Sequence, residues 1–144
     1  MTLAELNPDI KLAQLLDGNI EVQTSATDKY SIRCYADGKM PNKGLADELV
    51  YIQWNGSAEA RTFPAGCFKG NLALTIYCKA QADNTAKTQR IRQIMRQCQL
   101  LAAGVVIDGF YFSVDPSQVI QPTKVNSTIG YSTTVINVKW RSIR

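Results

Sequence analysis

Histidine is absent from the 144 residues, and that absence removes more chemistry than the residues present supply. Without imidazole there is no Ser/His/Asp or Cys/His nucleophilic site, no histidine-bearing zinc motif and no imidazole general base. Four cysteines remain, Cys34, Cys67, Cys78 and Cys98. No two of them form a C-x-x-C pair, so they are expected to be reduced core thiols with no redox or metal role. The carboxylates are scattered: Asp108 and Asp115 flank one segment, Asp47 and Glu48 precede another, and Glu21 lies within a third. A metal-dependent nuclease wants carboxylates and a nearby lysine converging at a strand edge, and Glu21-Val22-Gln23 carries no lysine. Gly66-Cys67-Phe68-Lys69-Gly70 lacks the spacing and the Lys-Ser/Thr of a phosphate-binding loop, and reads as a turn between strands. These residues predict no enzyme, no cofactor and no metal.

Charge is the remaining resource, and it is uneven. Residues 1–84 hold 8 Lys/Arg against 10 Asp/Glu, whereas residues 85–144 hold 8 against 2, so the two parts carry −2 and +6. A basic half suits a nucleic acid or an acidic protein partner. Part of that charge lies between 84 and 103, where Lys87, Arg90, Arg92 and Arg96 have no acidic neighbour. No Trp, Tyr or Phe falls between Tyr77 and Phe110 to stack on bases, which makes a solvated or partner-facing helix side the stronger reading of this segment.

The elements that must position these residues follow from hydrophobic period. Asn7-Pro8 signals the start of a short helix over about 8–17, with Leu12, Leu15 and Leu16 as its stripe and Gly18 as its stop; Thr2 to Glu5 has capping-box form. Ile20 and Val22, then Tyr30, Ile32 and Cys34, alternate as two half-buried strands. Ala36 to Asp47 has no periodic face and is an expected exposed loop. Leu49 to Trp54 predicts a strand, Asn55-Gly56 a two-residue hairpin turn, and Ala58 to Phe63 the return strand. Pro64 to Gly70 breaks the pattern before Leu72 to Lys79, the expected central strand. From Asn84 or Thr85 to Ala103 the period is helical, with Ile91, Ile94, Met95, Cys98, Leu101 and Ala102 inward and Gln89, Arg92, Gln93 and Arg96 outward. On that reading Gln93→Asp is nearly silent, whereas Ile94→Asp or Cys98→Asp unfolds the chain.

Phe110 to Val114 follows the turn Asp108-Gly109 as a strand that can pair with Val105 to Ile107. Asp115 to Gly130 is a second expected long loop, and Tyr131 to Trp140 alternates as the closing strand ahead of a basic tail, Arg141 to Arg144. Strands segregated around two helices predict a single α+β domain over 1–144: a mostly antiparallel sheet with a long amphipathic helix and a short N-terminal helix packed on one face. No stretch approaches 18 apolar residues, so neither a membrane span nor a secretory segment is expected, and the chain reads as intracellular at synthesis.

The order of these elements resembles that of the tail terminator, or tail completion, proteins of long-tailed bacteriophages. The likeness is carried by the N-terminal helix ending at Gly18, the strand Leu49 to Trp54 after a long loop, and the passage NLALTIYCKAQADNTAKTQRIRQIMRQCQLL. The aromatic strand GFYFSVD and the final alternating strand YSTTVINVKW complete it. The resemblance implies a structural virion protein, made in the bacterial host cytoplasm and located in the tail or neck. Such a protein forms a ring, commonly a hexamer, that caps the tail tube, stops its elongation and joins the tail to the head. The implied partners are further copies of the chain, the tail tube protein and a head-completion or connector protein, with DNA passing through the lumen unread and no membrane. It also implies ring or tube contacts through the loops Gly38 to Leu45 and Ser117 to Thr128. The partner-contact candidates are therefore Lys39, Lys43, Gln118 and Lys124 on the loops and Arg92 and Arg96 on the helix. The alternatives are another neck, head-closure or tail tube protein, or a small nucleic-acid-binding module using the basic helix 85–103.

Overall fold

Period-two patterning decides the centre of the molecule. The chain runs α1 (Pro8–Leu16), β1 (Glu21–Gln23), β2 (Lys29–Ser31), β3 (Arg33–Tyr35), β4 (Glu48–Trp54), β5 (Glu59–Ala60), β6 (Phe68–Lys79), α2 (Asn84–Ala102), β7 (Val105–Ile107), β8 (Phe110–Ser113), β9 (Lys124–Asn126) and β10 (Tyr131–Ser142). The computed structural model describes residues 6–23, 25–56, 58–60, 67–79, 84–115, 124–126 and 131–143, with side chains left aside at 84–88 and 124–126. Leu72, Leu74, Ile76 and Cys78 of β6 are buried on one face, and β10 lies antiparallel beside them from Tyr131 opposite Lys79 to Arg141 opposite Lys69. Ile136, Val138 and Trp140 thereby join the same apolar layer. The main sheet has the order β3-β4-β6-β10-β8-β7, antiparallel throughout except for the parallel pair β3 and β4. β1 and β2 form a separate antiparallel ribbon.

Both helices cover one face of this sheet. The buried stripe Ile91, Ile94, Met95, Cys98 and Ala102 seats α2 on β6, and Leu12, Ala13 and Leu16 seat α1 on β3, β4 and α2. The fold is therefore the expected α+β arrangement, with both helices on the same side. Pro8 sits in the first turn of α1, where a missing N–H costs nothing, but the Asn7 side chain makes no capping bond. Asp108 and Gly109, both with positive φ, close the β7–β8 hairpin, and Lys11 of α1 reaches Asp108 at 3.0 Å. Near the same end of β10, the Trp140 ring leans over Gly70: a Cβ on Gly70 would stand 2.8 Å from it. Trp54 and Phe110 meet the same ring edge to face at 5.5 and 5.8 Å.

The structure overturns several local expectations. Asn55-Gly56 is not a hairpin turn. Trp54 is opposite Leu72 and Glu59 is opposite Lys69, so β5 continues in the direction of β4 along the same edge of β6, with two extra residues bulged out between them. Gly56 supplies the positive φ of the bulge, and the Asn55 N–H keeps a bond to the Asn71 carbonyl. The long strand β6 offers a ladder for both pieces, and continuing along it satisfies more backbone than turning back. Residues 30–34 split at Ile32: β2 joins the ribbon with β1, and β3 joins the main sheet. Phe68 to Gly70 belong to β6, and Lys124 to Asn126 of the expected second loop form β9 on β10. Arg141 is part of β10 instead of a tail. The capping box at Thr2 and most of the 115–130 loop lie outside the described residues.

Candidate functional site

The basic helix divides its cations between the fold and the surface. Arg92 and Arg96 are exposed one turn apart, as their wheel positions require, and Leu100 continues the ridge at 63% exposure. Arg90 turns instead toward the sheet. Its Nη1 lies 3.1 Å from Oε1 of Glu48, a carboxylate only 2% exposed, while the Tyr30 hydroxyl donates to Oε2 of the same group at 2.7 Å. Both carboxylate oxygens are thus satisfied, which is what makes a buried charge tolerable. The ring of Tyr30 is 40% exposed, yet its hydroxyl end is drawn into this cluster. Burial, followed by the bond to Glu48 and that carboxylate's charge, pushes the Tyr30 hydroxyl above its ordinary pKa.

Gln93 corrects the expectation of a free outer position. Its Oε1 accepts the Gln23 N–H at 2.9 Å and its Nε2 donates to the Gln23 carbonyl at 3.2 Å. Gln97 repeats the arrangement on Glu21, accepting its N–H at 2.8 Å and donating to its carbonyl at 2.6 Å. Four residues of helix rise about 6 Å and two of strand about 6.6 Å, so two glutamines one turn apart fit two alternate strand residues. Together they pair with the edge of β1 as a second strand would. Asp17, just past α1, holds β3 by acceptance alone, its carboxylate taking the Cys34 N–H at 2.9 Å and the Arg33 guanidinium N–H at 2.9 Å. A polar helix residue near a strand edge was the only sequence signal for either contact, and helical period alone does not reveal it.

Lys39 and Lys43 are exposed on the loop after β3, as expected. That loop is anchored at its start: Asp37 accepts the Trp54 N–H at 3.1 Å and the Tyr51 hydroxyl at 3.4 Å, and the Gly38 N–H donates to Tyr51 at 2.9 Å. Lys124 opens β9 and is opposite Thr133 in the ladder, so it belongs to a strand instead of a loop. Gln118 lies outside the described residues. The candidate contact residues that are described thus occupy three separate elements, the 36–47 loop, α2 and β9.

On the sheet face away from the helices, the strands β5, β6, β10 and β8 enclose a trough of about 720 Å³ that is absent from the candidates above. Its lining follows from register. One row across the strands is Glu59, Lys69, Arg141 and Tyr111; the next, two residues along, is Asn71, Lys139 and Ser113. Alternation sends Val138 and Trp140 into the core and must therefore send Lys139 and Arg141 out. The Arg141 guanidinium lies 4.6 Å over the Tyr111 ring, and Lys69 stands 3.7 Å from Glu59. Among the described residues the trough sets three cations against one carboxylate, with amide and hydroxyl groups between them, and such a surface can bind anions.

All four cysteines are buried and none is in a disulfide. Burial pushes the Cys98 thiol up to about 12 and raises that of Cys34 as well, so at neutral pH these two are protonated and poorly nucleophilic. Among the described residues no helix is long and apolar enough to cross a membrane. No protein-family model matches the chain, and no curated protein matches it either.

Proposed function

We propose that this chain is a structural virion protein of the tail-terminator kind, assembling into a ring that caps a tail tube, ends its growth and presents the surface to which the head joins. The observation that supports this reading is the order of elements, a short N-terminal helix, β4, the β6-to-α2 passage, the aromatic β8 and the long closing β10, folded as one sheet with helices on a single face. The support is a likeness in the order of elements, and function resides in surfaces grafted onto a fold. A ring needs two different, complementary surfaces on each subunit, and the Arg92, Arg96 and Leu100 ridge on the helix side is the one we assign to a protein neighbour. The partners in this reading are neighbouring copies, a tail tube protein and a head-completion protein.

Deletion of the gene in a phage that carries it, followed by electron microscopy of lysates, tests the reading. Tails of uncontrolled length that fail to join heads are the expected result. Normal tails attached to heads eliminate the function, and full heads without any tube point to a tube or initiator protein.

A further inference from the structure

We infer that the trough on the open sheet face is a binding site for the phosphate backbone of DNA, read without regard to sequence. Its chemistry is the inventory from which phosphate contacts are built: two lysines, an arginine, an asparagine, a serine and a tyrosine hydroxyl on three adjacent strands. Lys139 and Arg141 sit two residues apart on one face of β10, about 6.6 Å along the strand, and Lys69 flanks Arg141 from β6. The three cations therefore form a compact patch instead of a line of independent surface charges. Among the described residues the one carboxylate of the lining, Glu59, stands at the β5 edge and faces Lys69. Lys139 has no ion-pair partner among the described residues.

A protein partner is the less suitable occupant. Tight protein interfaces are anchored by exposed aromatic or aliphatic side chains in a desolvated centre. Among the described residues the one large apolar member of this lining, Trp140, is 2% exposed with its ring packed against Trp54 and Phe110. The exposed apolar side chains Leu100, Val106 and Ile143 all stand outside the lining. Tyr111 already has a guanidinium on its face, which leaves its hydroxyl as a donor to an oxyanion. This inference does not depend on the ring reading.

The test is the binding of a short fluorescein-labelled DNA duplex of mixed sequence to the full chain, followed by anisotropy across a salt series. A site using all three cations gives a slope of log affinity against log salt of about −3, from roughly −0.9 per neutralised phosphate. Lys139→Ala and Lys69→Ala should each weaken binding about tenfold at low salt, uniformly across sequences, and reduce the slope by about one. Lys139→Gln, which keeps a polar side chain and removes the charge, should behave like Lys139→Ala, with an unchanged thermal midpoint in both. Arg92→Ala with Arg96→Ala should leave affinity within about twofold. The inference is overturned by absence of DNA binding at low salt, by Lys69 and Lys139 variants that bind as tightly as the parent, or by a site that takes poly-glutamate and excludes the duplex.

Discussion

The helix ridge and the sheet trough are both basic, and they are basic in different ways. The ridge looked richer in the sequence, with Lys87, Arg90, Arg92 and Arg96 in ten residues. In the fold Arg90 belongs to Glu48 and Tyr30, and among the described side chains the ridge keeps Arg92 and Arg96, ending in an exposed leucine. The trough gathers Lys69, Lys139 and Arg141 from two distant stretches of chain, with polar neighbours and, among the described residues, no exposed apolar anchor. Cations beside an exposed Leu100 suit a protein surface, and cations among amides and hydroxyls suit phosphate. Local charge density in a sequence is therefore a poor guide to a surface, because burial removes some charges and strand register assembles others.

The most damaging way to test this contrast is to remove the cation assigned to the fold. Arg90→Ala leaves the nearly buried Glu48 carboxylate without its counter-charge and should cost about 3–5 kcal/mol in urea denaturation. A loss below about 0.5 kcal/mol would return Arg90 to the ridge. Gly70→Ala acts beneath the trough. Its Cβ would meet the Trp140 ring at 2.8 Å, and the ring is held by Trp54 and Phe110, so about 1–3 kcal/mol should be lost, with weakened DNA binding from the displaced β10. Stability changed with DNA binding intact would separate the trough's floor from its function.

Smaller effects sharpen the helix side. Gln97→Ala should cost about 1–2 kcal/mol and speed amide exchange at Glu21, because the N–H and carbonyl it holds become an open strand edge. Gln93→Asp removes the donor to Gln23 and should cost about 1 kcal/mol, against the near-silence that helical period suggests. Unchanged exchange at Glu21 would show that β1 needs no partner. Arg92→Glu with Arg96→Glu should shift stability by less than about 0.5 kcal/mol while slowing self-assembly, since exposed charges act on association more than on folding.

Alkaline pH provides a further measurement of the core. The Cys34 and Cys98 thiols, ordinarily near 9.0, and the Tyr30 hydroxyl, ordinarily near 10.0, are all raised in the folded state. Above pH 9 the unfolded chain therefore loses these protons first, and stability should fall as pH rises toward 12. Cys98→Ala, although less stable throughout, should show a shallower fall, and an identical slope would mean that this thiol does not titrate with unfolding.

What the sequence made legible was whatever depends on period alone. Leu72 to Cys78, Tyr131 to Trp140 and the stripe Ile91 to Ala102 each declared their element and their inward face, and their stacking follows from the need to bury them. Partner choice was not legible. Asn55-Gly56 carries the same preference for positive φ in a hairpin turn or a bulge, and only the spare length of β6 decides between them. Gln93 reads as a surface residue until the edge of β1 is brought beside it. The trough needed the registers of β6, β8 and β10 together, since Lys69 and Arg141 become neighbours only across a ladder.

Hydrogen–deuterium exchange of the full chain, with and without an unlabelled DNA duplex at low salt, tests the division between the two surfaces most directly. Protection is expected in peptides covering 67–73, 109–114 and 137–143, where backbone and side chains line the trough, with none over 89–103. Protection over 89–103 with no change in the three strand segments would contradict it and assign the nucleic acid to the helix.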